Sequence, residues 1–248
     1  TLRPSDTISQ RREEHRMKAI VVAGGHGSRL YPLTNFTHKT LLPLCGRPII
    51  DYVLSTIRHA GINDITIIGN KFIDKIREHV GSEVKYVLEE EPLGVAAALQ
   101  LAREGNENCP ILIWFSDNIT NIDLKSDVNE FTKGAILLTR EVESPSDFGI
   151  AILDGDTVID VIEKPENPPG NLAIGGIYIF DERFWERLDS VQDSPQFSIS
   201  DVTRQYLVEG DAKVISVGEN TWIDCGTPEN LQRAARMVPD GLFTIRGE

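Results

Sequence analysis

Lys18-Ala19-Ile20-Val21-Val22-Ala23-Gly24-Gly25-His26-Gly27-Ser28-Arg29-Leu30 decides how the rest of the chain is read. Lys18–Ala23 is apolar and rich in β-branched residues after its first position, the pattern of a buried strand, and the glycines that follow predict a loop at its carboxyl end. Such glycines let backbone N–H groups close on a phosphate, and Arg29 offers a forked cation to a polyphosphate. The spacing is not that of a dinucleotide fingerprint, because Gly25-His26-Gly27 runs into Ser28-Arg29 without a third glycine. That argues against a nicotinamide-dependent oxidoreductase. It is not a P-loop either, since no Lys-Ser or Lys-Thr follows at the right offset. Taken alone, the glycines would serve a bare turn equally well.

Outward from this loop, short apolar runs alternate with amphipathic stretches. Ile49–Ala60 carries Ile50, Val53, Leu54 and Ile57 at helical spacing, and Gly61 stops it. Strands are expected over Asp64–Gly69, Val84–Leu88 and Ile111–Phe115, and helices over Phe72–Val80 and Val95–Arg103. This alternation implies a mostly parallel sheet flanked by helices, with ligands at the carboxyl ends of the strands. The second half is richer in strands: Ala135–Thr139, Gly149–Leu153, Val158–Ile162, Ile177–Phe180 and Val214–Val217. Helices are expected over Asp181–Leu188, Ile199–Val208 behind Ser198 as N-cap, and Pro228–Met237. The fold class is α/β: a single Rossmann-like domain over residues 17–238 with a mixed, mostly parallel sheet. Residues 1–16 and 239–248 are expected to be tails.

Asp and Glu number 38 against 25 Lys and Arg, a net charge of −13. Such a surface repels nucleic acid and anionic membranes, so neither is expected as a partner. An anionic substrate would need positive charge concentrated locally. Cys45, Cys109 and Cys225 are far apart and odd in number. That argues against a disulfide framework or a metal knuckle and for a reducing, cytoplasmic setting. Cys225, beside Asp224, has no neighbour in sequence to activate it and reads as a packed thiol. Residues 1–16 lack the apolar core of a secretory signal, and no apolar run approaches the ~18 residues of a membrane span.

After the glycine loop come Lys39-Thr40-Leu41-Leu42-Pro43 and Gly46-Arg47-Pro48. A GGxGxRLxPLT run over 24–34, followed by a lysine in a K-x-L-x-P setting, resembles the opening of the sugar-1-phosphate nucleotidyltransferases. The resemblance covers about residues 17–238 and, within the family, runs to the glucose-1-phosphate thymidylyltransferase group. It implies a GT-A-like fold, Mg²⁺ as cofactor, and condensation of a nucleoside triphosphate with a sugar 1-phosphate to give an NDP-sugar and pyrophosphate. Phe115-Ser116-Asp117-Asn118 and Trp222-Ile223-Asp224-Cys225-Gly226-Thr227 resemble the two metal segments, making Asp117 and Asp224 the expected ligands. Each aspartate also ends an apolar strand, where a carboxylate suits a metal, although a turn or cap role is the plainer alternative.

On the same resemblance, nucleotide binding falls to Ala23, Gly24, Gly25, Gly27, Ser28 and Arg29, with Glu89, Pro92 and Gly94 toward the base. Phe148-Gly149-Ile150, Glu163-Lys164-Pro165 and Asn171–Gly176 resemble the sugar side, which assigns Gly149, Glu163, Lys164 and Ile174 to the sugar phosphate. Arg29, Lys39 and Lys164 are the expected catalytic cations. Two sugar-side positions depart from the family, with Phe148 for a tyrosine and Gly175 for a threonine. At the base, Glu89 stands where the thymidylyl and uridylyl enzymes carry a glutamine. A carboxylate accepts at both oxygens and would match the adjacent donors of guanine. The other motifs favour dTTP or UTP, so GTP remains the alternative substrate. An inactive nucleotide-sugar-binding regulatory domain is the rival of another class; it should have lost a metal carboxylate or the Arg/Lys pair, and none is missing. A homo-oligomer is left open.

Overall fold

The computed structural model describes residues 16–155, 157–191, 198–217 and 221–245. A nine-stranded sheet organises the chain. Its parallel centre is β6 (Ile111–Phe115), β1 (Lys18–Ala23), β4 (Ile65–Gly69) and β5 (Lys85–Leu88), in that order, with the tiny hairpin β2 (Pro43–Leu44) and β3 (Arg47–Pro48) outside it. Beyond β6 the sheet turns antiparallel through β11 (Leu172–Phe180), β9 (Gly149–Asp154) and β10 (Thr157–Glu163). β8 (Ala135–Glu141) branches from β11 and carries β12 (Ala212–Ser216) parallel on its other side, and β7 (Asn118–Thr120) with β13 (Trp222–Asp224) makes a separate antiparallel ribbon.

The central strands read as unbroken apolar runs because both faces are covered. Alternate residues divide between two cores. Val21, Leu112, Trp114 and Ile177 face the layer holding α1 (Ile49–His59). Ile20, Ile113, Tyr178 and Phe180 face the layer holding α3 (Val95–Leu101), α5 (Phe184–Val191) and α6 (Ile199–Val208). α2 (Ile73–Val80) packs on β4 and β5, α4 (Lys125–Glu130) buries no side chain, and α7 (Pro228–Met237) packs on β13. Among the described residues no helix is long and apolar enough to cross a membrane.

Several boundaries differ from expectation. The strand expected at Ile177–Phe180 starts at Leu172, with an irregularity between Ile174 and Tyr178. The helix expected from Asp181 starts at Phe184. Asp181 is instead a buried acceptor for the Gly134 N–H (2.7 Å), the Tyr206 hydroxyl (2.8 Å) and Arg183. Burial pushes its carboxyl up, but the hydrogen bonds from Arg183, Gly134 and Tyr206 outweigh it and hold the group below the usual range. The expected tail at 1–16 lies, but for Arg16, outside the described residues. Of the expected tail at 239–248, residues 239–245 are described, and Phe243 is buried in the first core.

A stability prediction arises here. Asp181→Ala leaves buried donors without an acceptor and should cost about 2–4 kcal/mol, read as a lower urea midpoint at unchanged slope. Because the folded pKa is depressed, Asp181 stabilises above the unfolded carboxylate range. That contribution should fade as pH drops below about 4 in the parent protein and be missing in the variant.

Candidate active site

The loop after β1 is tied down from beneath. The Thr34 hydroxyl donates to the Gly27 carbonyl (2.8 Å), and the Asn70 amide donates to the carbonyls of Gly24 (3.1 Å) and Gly25 (3.3 Å). His38 Nδ1 accepts the Thr40 N–H, which leaves Nε2 protonated to donate to the Gly25 carbonyl at 3.1 Å. Burial, with Lys39 beside it, lowers the His38 pKa to about 4 and keeps the ring neutral. Gly27 has φ 63°, the left-handed region that glycine enters without strain, and the Ser28–Leu30 turn that follows aims Arg29 into the site.

The ribbon of β7 and β13 brings the two aspartates together. Asp224 is paired with Asn118, and the Cys225 N–H donates to the Asp117 carbonyl at 2.8 Å. A Cβ placed on Gly226 would lie 2.7 Å from Asp224 Oδ1, 2.9 Å from Arg29 Nη2 and 3.3 Å from Asp117 Oδ2. Three expected functional side chains thus converge on one glycine. Lys39 Nζ contacts Asp117 Oδ2. Burial would raise the Asp117 carboxyl, but Lys39 and Arg29 hold it below the usual range. Asp224 is pushed above that range by burial and by the like charge of Asp117. The two carboxylates thus sit side by side in a buried setting, with Lys39 and Arg29 acting on both. Among the described residues no third His, Cys, Asp or Glu joins them, a donor set that fits Mg²⁺, which takes one or two carboxylates with substrate phosphates and water.

A cleft of about 1160 Å³ opens on the other side of the dyad, lined by Arg29, Gly149, Glu163, Lys164 and Ile174 among others. Glu163, at the end of β10, accepts from the Ser200 hydroxyl at 2.8 Å. A Cβ on Gly149 would come within 3.2 Å of that carboxylate. Lys164 holds φ 39°, uncommon for a side-chain-bearing residue, and its N–H donates to the Phe148 carbonyl at 3.0 Å. Gly175 makes room for Trp222, whose ring lies 3.2 Å from the position of a Cβ there. Trp222 is in turn flanked by Phe148 and by Arg140, the latter 5.1 Å above its ring.

Toward the β5 edge, Glu89 is buried against Gly24 and Pro92 and Gly94 are exposed on the rim, and none of the three lines the cleft. Cys225 is a fully buried thiol raised by burial, as its reading from sequence expects. Of the supporting residues, Thr34 closes the motif run 24–34, whereas His38, Asn70 and Ser200 are not marked in the sequence. These three act across contacts between separate segments, and only the position of His38 next to Lys39 could have drawn notice.

Residues 18–241 match the family model for nucleotidyl transferases. The low-salt glycan biosynthesis nucleotidyltransferase Agl11 of Haloferax volcanii is 32% identical over 235 residues, 90% of this chain and 66% of its own. A glucose-1-phosphate thymidylyltransferase of Xanthomonas campestris pv. campestris is 33% identical over 238 residues, 89% of this chain and 80% of its own. A Bacillus anthracis structure described as a glucose-1-phosphate thymidylyltransferase, solved with sucrose, superposes with a TM-score of 0.84 at 31% identity, covering 90% of this chain and 96% of that one. With the glycine loop, the paired aspartates and the motif cations meeting in one site, this chain belongs to the sugar-1-phosphate nucleotidyltransferase family.

Proposed function

We propose that the protein joins a nucleoside triphosphate to a sugar 1-phosphate, releasing pyrophosphate, with dTTP or UTP as nucleotide and a glucose-1-phosphate-like sugar. The convergence of Arg29, Asp117 and Asp224 about Gly226 carries this reading, because it sets cations and carboxylates between the phosphate loop and the sugar-side cleft. A phosphate oxygen of the sugar 1-phosphate attacks the α-phosphorus in line with the departing pyrophosphate. That phosphate is already ionised at neutral pH, so the chain supplies no nucleophile or general base, only positioning and charge.

The loop Ala23, Gly24, Gly25, Gly27 and Ser28 cradles the triphosphate. Arg29 steadies the leaving pyrophosphate, and Lys39 faces the transferring group from beside Asp117. Lys164 holds the attacking phosphate, while Glu163, oriented by Ser200, receives sugar hydroxyls. Asp117 and Asp224 would hold Mg²⁺, which when bound neutralises charge on the α-phosphate. The guanylyl reading is kept alive by one observation, the carboxylate of Glu89 on the nucleotide side.

Pyrophosphate release measured over a matrix of triphosphates and sugar 1-phosphates, with products weighed by mass spectrometry, tests the proposal. Nucleotide binding without turnover in any combination would favour the regulatory-domain reading. Within the active pair, Lys164→Ala should raise the KM for the sugar phosphate about 10–100-fold, the scale of a lost charge-assisted hydrogen bond. Nucleotide affinity should change little. Equal damage to both substrates would move Lys164 off the sugar side.

A further inference from the structure

The cations of this chain fall into two groups. Around α3, α5 and α6, Arg103, Arg183, Arg187 and Arg204 each pair with a carboxylate, as 38 acids against 25 Lys and Arg would favour. The four cations that line the cleft, Arg29, Lys164, Arg140 and Arg233, form no ion pair among the described residues. Arg29 and Lys164 serve the pyrophosphate and the attacking phosphate in the reaction proposed above. Arg140 and Arg233 have no such duty.

Arg140 leaves β8 opposite Ala173 of β11, on the sugar side. Its guanidinium is fixed over the Trp222 ring, with Nη1 donating to the Trp222 carbonyl and Nε to the Glu141 carbonyl at 3.1 Å. Nη2 is left without a partner among the described residues. Facing it is α7, where Thr227, Asn230 and Arg233 recur at three-residue spacing and border the cleft with one helix face. Arg233 is near enough that its charge, together with burial, lowers the pKa of Arg140, and Glu143 offsets them only in part. Two like charges share one space, and one of them is anchored by backbone carbonyls instead of carboxylates. Packing does not require that arrangement, and an anion between the two would relieve it. Glu141, Glu143 and Asp147 are exposed on the same wall, which favours an anion of one charge over a phosphate dianion.

We propose that the sugar 1-phosphate taken by this chain carries a carboxylate, and that Arg140 and Arg233 bind it. The inference rests on the nucleotidyl-transfer reading for the presence of a sugar phosphate in the cleft, and it names the class of that sugar. A neutral sugar leaves both guanidinium groups as they are. An acidic sugar gives the open Nη2 of Arg140 an acceptor and sets a negative charge between the two arginines, so the gain falls to the acid alone. Trp222 is the platform that holds Arg140 in place, packed in turn against Phe148 and the space left by Gly175.

Turnover of three matched pairs of sugar 1-phosphates by the full chain, with Mg²⁺ and the nucleotide it uses best, tests this. The pairs are glucuronic acid against glucose, galacturonic acid against galactose, and N-acetylmuramic acid against N-acetylglucosamine. In at least one pair the acid should be favoured in kcat/KM by about 10–100-fold, the scale of a charge-assisted hydrogen bond. Arg233 is exposed and makes no hydrogen bond among the described residues, so Arg233→Gln should keep the parent's urea midpoint. In that variant and in Arg140→Gln the preference should fall about tenfold or more, chiefly through the KM of the acid. No preference for the acid in any pair, or a preference that survives both substitutions, would overturn the proposal. Faster turnover of glucose 1,6-bisphosphate than of every acid would also overturn it, by making the second group a phosphate. If no pair turns over, the nucleotidyl-transfer reading falls, and calorimetric titration of the same pairs still decides this one. Tighter binding of an acid, lost in Arg233→Gln, supports it, and equal binding within every pair overturns it.

Discussion

Asp224→Asn and Asp117→Asn should each lower kcat by ~10²–10³, the scale of losing a charge stabiliser at a reacting phosphate, with nucleotide binding far less affected. The geometry explains why the effect belongs to turnover. Both carboxylates face the same point as Arg29, about Gly226. Asp224 is held above its usual range by burial and by Asp117, a repulsion that structure alone does not require. Asparagine keeps the shape, and its carbonyl can still accept the Gly226 N–H, now 2.6 Å from Asp224 Oδ1. In Asp224→Asn, removing the carboxyl that burial and Asp117 push up should therefore leave the melting temperature unchanged or raise it while activity collapses, the trade-off expected where stability is given up for function. Steady-state rates at saturating Mg²⁺ and a thermal melt of each variant decide the matter. Near-normal turnover in both would remove the dyad from the reaction, and a large drop in melting temperature in Asp224→Asn would make that carboxylate's role structural.

How far this site could be read beforehand depended on the range over which each signal acts. Lys18–Ala23 and Ile111–Phe115 are buried on both faces, so their apolar runs are continuous and the sheet centre was visible. Asp117 stood out because it follows such a run, and Asp224 because its segment resembles the family's second metal segment. Their meeting did not, since it depends on a ribbon of three-residue strands, too short for any periodicity. Asp181 looked like the start of a helix because its local sequence permits one. Contacts with Gly134 and Tyr206, both remote in sequence, hold it outside. Gly175 looked like a lost hydroxyl when set against the family, whereas in the fold it is the space Trp222 occupies. The hydrogen bonds from His38 and Asn70 that hold the phosphate loop leave no trace in composition or spacing, because each side chain is ordinary at its own position.

Lys39→Met should separate two roles that the aspartates combine. Lys39 Nζ contacts Asp117 Oδ2, and it lies 3.5 Å from where a Cβ on Gly25 would stand, so it touches both the dyad and the phosphate loop. Were it only the structural counter-ion of Asp117, its loss would leave a buried carboxylate unpaired and destabilise the fold by ~3–5 kcal/mol. Because it also acts on the transferring phosphate, its loss should in addition cost ~10²-fold in kcat/KM. A bound divalent cation can neutralise Asp117 once the ammonium is gone, so the stability loss should be recovered on adding Mg²⁺, by the linkage of binding to folding. The Mg²⁺ concentration giving half-maximal rate should then stay the same or fall, the reverse of Asp117→Asn, where it should rise. Methionine retains the apolar stem that fills the space beside Thr34 and Gly27, so packing is little disturbed. Rates and urea midpoints measured together over a Mg²⁺ series test this. Full activity in Lys39→Met would show that the ammonium serves the fold alone, and a parallel rise in the Mg²⁺ requirement of both variants would place Lys39 among the groups that build the metal site rather than those that face the substrate.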